Sequence, residues 1–79
     1  MSEVETPLEM AQRHLRQFES AIARQEELIS KLERHGHSEA AKRGRMLLKT
    51  LHDTLAVAKQ HRDLLLTEIE ARSSRGADE

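Results

Sequence analysis

The sequence has no cysteine, tryptophan or tyrosine, and only one phenylalanine, one proline and three glycines in 79 residues. Without cysteine there is no disulfide framework, no thiolate metal site and no cysteine nucleophile. With Phe18 as the single ring, there is no aromatic platform for stacking bases. Lys and Arg number 13 against 14 Asp and Glu, a net charge of -1, so the strongly basic balance of a nucleic-acid domain is missing. Apolar runs such as Leu64-Leu65-Leu66 are far shorter than the roughly 18 residues a membrane span requires. The start, Met1-Ser2-Glu3-Val4-Glu5, is acidic and lacks the basic-then-apolar order of a signal peptide. No alternating apolar stretch marks a strand. A small cytoplasmic helical protein is therefore expected, without membrane contact.

The few helix-breaking residues divide the chain. Thr6-Pro7-Leu8-Glu9 has the Thr-x-x-Glu spacing of a capping box, with Pro at the first helical position, where its missing N–H is not needed. Gly36 can take the left-handed conformation that ends a helix. Ser38 can cap the next helix, with Glu39 at its positive end. The pattern predicts a flexible start over 1–6, a helix over 7–35, a turn over 36–38, a helix over 39–72 and a disordered tail over 73–79.

Apolar residues recur every seven positions. Leu8, Leu15, Ile22 and Ile29 form one series, and Ala11, Phe18, Gln25 and Leu32 a second, offset by three. The second segment repeats the pattern with Ala41, Leu48, Leu55, Arg62 and Ile69, and with Gly44, Leu51, Ala58 and Leu65. These are the two seam positions of a coiled coil. A short link between such helices predicts an all-α antiparallel two-helix hairpin. Folding the chain between Gly36 and His37 sets Leu8 opposite Leu65, Leu15 opposite Ala58, Phe18 opposite Leu55, Ile22 opposite Leu51, Ile29 opposite Gly44 and Leu32 opposite Ala41. Gln25 then faces Leu48, and Arg62 faces Ala11. On one flank Glu19, Glu26 and Glu33 run beside Lys59, His52 and Arg45, which favours this pairing over a parallel one.

The other flank carries Ala21, Leu28, Leu47 and Thr54, with Val57 and Leu64 beside them. A single core in a chain this short supplies no more than about 3–5 kcal/mol. An apolar strip left outside it is a partner surface. The simplest partner is a second copy, because a two-fold axis uses the same strip twice. A homodimeric four-helix bundle is expected, with these six residues at the dimer interface.

Chemistry-bearing groups are sparse. His35 and His37 flank the turn glycine, and His14 and His61 fall side by side on the apolar flank, a pair able to repel when protonated or to make half a metal site. Arg62 is expected to lay its stem on the seam and to reach an acid such as Glu9. Residues 31–49 hold six bases against two acids, and the flanking stretches are net acidic. The turn end is thus basic, with Lys42, Arg43 and Arg45 as an anion-binding patch. No metal, cofactor or catalytic residue is expected: two helices along a seam leave no deep pocket, and no Ser–His–acid order or di-iron Glu-x-x-His spacing occurs.

Arg13-His14, Ile22-Ala23-Arg24-Gln25, Leu28-Ile29, Leu32 and Gly36, followed by Leu48, Leu55 and His61-Arg62-Asp63-Leu64-Leu65, give the chain a resemblance to small uncharacterised alphaproteobacterial helical-hairpin proteins of unknown function. That resemblance spans about residues 13–68 and implies a compact two-helix unit with nothing catalytic. The expected role is a non-enzymatic protein-interaction or scaffold module. The alternative is a weak binder of anionic ligands or nucleic acid through the basic turn end.

Overall fold

The computed structural model describes residues 4–78. Residues 1–3, in the expected flexible start, and residue 79, in the expected disordered tail, lie outside them. Two helices make up the fold: α1 over Pro7–Arg34 and α2 over Ser38–Asp78. They pack against each other along the heptad seam, and no strand occurs among the described residues.

The start of α1 is built as the sequence predicts. The Glu9 amide donates to Thr6 Oγ1 at 3.1 Å, and the Thr6 amide donates to Glu9 Oε1 at 3.0 Å. Two amides that no helical carbonyl can reach are thereby satisfied. Glu5 is also tied down: Arg13 Nε and Nη2 both donate to its carboxylate at 2.9 Å. The chain is therefore fastened to α1 from Glu5 onward, within the stretch expected to be flexible.

The turn closes by a pair of backbone bonds. The His37 amide donates to the Leu32 carbonyl at 2.8 Å, and the Gly36 amide donates to the Glu33 carbonyl at 3.2 Å. These are the two bonds of a Schellman motif, and they require a left-handed residue between them. Gly36 supplies it with φ +76°. The Ala41 amide donates to the His37 carbonyl at 2.9 Å, so His37 is the capping residue of α2. Ser38, expected in that role, is the first helical residue.

α2 continues through Ser73, Ser74 and Gly76 to Asp78, past the stop expected at residue 72. Ser and Gly weaken a helix but do not forbid it as an internal Pro would. Residues 73–76 nonetheless stand exposed. Ile69 belongs to the seam by period, but the residue opposite it is Val4, which precedes α1, and both are exposed.

The core is small. Ala11, Leu15, Ile22, Ile29, Ala41 and Leu55 are buried, and Phe18, Leu48, Leu51 and Ala58 pack partly buried against the central cluster. The helices approach closely at Gly44. A Cβ there would lie 2.9 Å from Ile29 Cγ1 and 3.2 Å from Gln25 Nε2. The same gap lets Gln25 Nε2 donate to the Gly44 carbonyl at 3.0 Å. Gln25 thus reaches one turn closer to the hairpin bend than Leu48, the residue expected opposite it. A mid-seam amide bonded to a backbone carbonyl pins the register, because sliding either helix would strand it.

Gly44→Ala tests this contact. Replacing a mid-helix glycine ordinarily gains about 0.5–1 kcal/mol. Here the new methyl would meet a stiff, buried, β-branched side chain, and overpacking costs about 1–3 kcal/mol. The expected outcome is a lower melting temperature, whereas Gly76→Ala, with nothing near its Cβ, should leave it unchanged or raise it. Equal gains at both sites in thermal melts would contradict the close approach.

Candidate interaction surface

The two flanks of the seam differ in chemistry. On the acidic–basic flank one of the three expected pairs closes, with Arg45 Nη1 3.6 Å from Glu33 Oε2. Glu26–His52 and Glu19–Lys59 form no ion pair in the structure. Exposed pairs of this kind contribute at most about 1 kcal/mol, so the flank orients the hairpin more than it stabilises it. Other charges pair along their own helix, Glu27 with Lys31 and Lys49 with Asp53.

The opposite flank is apolar and open. Leu28 is 48% exposed, Leu47 51%, Val57 64% and Leu64 65%. Ala21 and Thr54 between them are half-buried. Thr54 Oγ1 donates to the Thr50 carbonyl at 2.9 Å, so its hydroxyl is satisfied within α2 and its methyl adds to the apolar surface. All six residues expected at a dimer interface therefore lie on or beside one accessible strip. Met10, also exposed, extends the strip toward the chain ends. The seven-residue spacing from Met10 through Gln17 and Arg24 hides it, because its series is otherwise polar.

His14 and His61 are together, as the register predicts. Both line a mainly apolar depression of about 240 Å³ with Ala11, Phe18, Thr54, Val57 and Ala58. Both also line an adjoining one with Glu5 and Met10. Among the described residues, no group of three or more His, Asp or Glu converges as a metal site would.

The basic turn end is less open than its composition implies. The shallow depression there is lined by Glu33, Gly36, Ser38, Ala41 and Arg45. The Glu33 carboxylate partly neutralises Arg45 and would oppose an anion. Lys42 and Arg43 are exposed on the next turn and form no ion pair among the described residues. A second basic grouping, Arg13, Arg16 and Arg24 around Gln17 and Ser20, lies on the outer face of α1. Its spacing over successive turns is readable in the sequence, although Arg13 is already engaged by Glu5. Arg62 stays partly exposed on the seam and takes its neighbour Asp63, with Nε donating at 3.0 Å. Glu9, the acid expected for it, is committed to the cap of α1.

No helix of the described residues is long and apolar enough to cross a membrane. No protein-family model, curated protein or solved structure matches the chain.

The electrostatics at the start of α1 give a direct test. The Arg13 hydrogen bonds hold the Glu5 carboxyl below the ordinary glutamate value. Bonds from the Thr6 backbone and side chain do the same for Glu9. Both charged forms are favoured by folding, so their contribution is present above the ordinary value of about 4.3. It is lost as pH falls through the lowered folded values. Arg13→Gln should return the Glu5 midpoint toward the ordinary value and leave Glu9 low, read by carboxyl-carbon NMR titration. A Glu5 midpoint indifferent to the substitution would show that Arg13 is not its cause.

Proposed function

We propose that the chain is a non-enzymatic protein-interaction or scaffold module, working in the cytoplasm as a homodimer whose two hairpins form an antiparallel four-helix bundle. The observation that carries this reading is the exposure of Leu28, Leu47, Val57 and Leu64 on a body only one helix thick. The Cα trace extends 65 × 30 × 13 Å. A single layer buries one seam and leaves Leu28, Leu47, Val57 and Leu64 about half exposed or more.

The magnitude of the exposed surface supports the same reading. The chain exposes 6392 Å². A compact monomer of 9.1 kDa would expose about 4,900 Å². The surplus of about 1,500 Å² exceeds the roughly 800 Å² that each partner contributes to a standard interface. Covering the strip with an identical strip satisfies both copies at once. The proposed resemblance to small alphaproteobacterial hairpin proteins is compatible with this role and brings no catalytic expectation.

Leu28→Glu combined with Leu47→Glu places charge in the middle of the strip. Wild-type chain should scatter light with twice the 9.1 kDa mass, and the double variant should run as a monomer with a lower melting temperature. A wild-type chain that remains monomeric at high micromolar concentration, or a variant that keeps the dimer mass, would remove the proposal.

A further inference from the structure

We infer that the two copies stack with their turns at opposite ends of the bundle, about a two-fold axis that crosses the hairpin near Ala21 and Thr54. This rests on the homodimer proposed above and specifies which of its two possible stackings forms. Two hairpins meeting on this strip can place turn over turn or turn over chain ends. In both cases neighbouring helices run antiparallel, so helix direction does not choose between them.

Shape chooses between them. Leu28 lies seven residues beyond Ala21 on α1, and His14 lies seven residues before it. Leu47 and His61 stand in the same relation to Thr54 on α2. Rotation about the Ala21–Thr54 layer therefore brings Leu28 of one copy onto His14 of the other, and Leu47 onto His61. Those leucines stand about half exposed on the turn half of the strip, and the depression beside the histidines, with the more exposed Val57 on its rim, is its hollow part. Its volume of about 240 Å³ is large enough to receive a leucine side chain. Placing turn over turn sets Leu28 against Leu47, leucine on leucine, and the hollow of one copy against the hollow of the other. The layer on the axis is narrow, with Ala21 small and the Thr54 hydroxyl folded back to its own helix. The axis also lies near the middle of α1 and of the stretch of α2 that α1 covers, so the paired lengths overlap fully.

Charge makes the same choice. Residues 31–49 carry six Lys and Arg against two Glu, a net of +4. The described residues of the other end, 4–12 and 61–78, carry three Arg against six Asp and Glu, a net of -3. Opposite-end stacking lays each basic end over an acidic one and brings Arg43 within about one helical turn of Glu68 of the other copy. Same-end stacking sets +4 against +4, which like-charge repulsion disfavours.

The absence of cysteine makes the test clean. Ser38→Cys and, separately, Thr67→Cys each give one site for a nitroxide label on an exposed position. Pulsed dipolar spectroscopy then reads the distance between the two copies. At about 1.5 Å per residue, opposite-end stacking predicts about 48 Å for position 38 and about 40 Å for position 67. Same-end stacking predicts about 10–20 Å at both, set by neighbouring helix axes about 8–10 Å apart. Short distances in a sample of dimer mass overturn the stacking and leave the homodimer standing. A monomer mass overturns the homodimer and the stacking with it.

Discussion

Two helices share one mutual face, and the organisation of this protein follows from how little that face can bury. The seam is closed by layers that set a large side chain against a small one, Ile29 on Gly44 and Leu15 on Ala58 among them. The contact at Gly44 is tight. It lets Ile29 and the Gln25 amide approach the α2 backbone, and the amide then holds the register by a bond to the carbonyl exposed there. A seam of this width is enough to define a hairpin but leaves the rest of each helix surface to solvent or to a partner.

The ends of α1 are defined by local chemistry that needs no core. Thr6, Glu9 and the Glu5–Arg13 fork satisfy the start. The Schellman bonds across Gly36 satisfy the finish and turn the chain back at once. Because α1 is shorter than α2, the seam ends before α2 does. Beyond Leu65 the heptad of α2 meets only the start of α1 and the residues before it, and Ile69 is exposed although its period is that of a core residue.

The polarity of the hairpin has the same origin in chain order. The turn collects the basic middle of the sequence, and the two acidic termini meet at the other end. A dipolar rod with an apolar strip along one side has a narrow choice of partners. A second copy turned end for end meets both requirements with the residues already present, which is why the proposed assembly needs no further component.

Heptad spacing alone placed Leu15, Ile22, Ile29, Ala41 and Leu55 in the seam, because burial on a two-helix face depends on period and on little else. The capping box and the left-handed glycine were equally legible, being local patterns with local consequences. The strip of Ala21, Leu28, Leu47, Thr54, Val57 and Leu64 was readable as a flank, since a residue beside the seam is set by the same period. What required three dimensions was every choice between competing partners. Glu9 went to Thr6 and left Arg62 to Asp63, His37 rather than Ser38 capped α2, and Gln25 chose a backbone carbonyl over its expected neighbour. Arg45 closed on Glu33 while two similar pairs stayed apart. Period decides which way a side chain faces, but distances of a few ångström decide which bond it makes, and those are set only when both helices are in place.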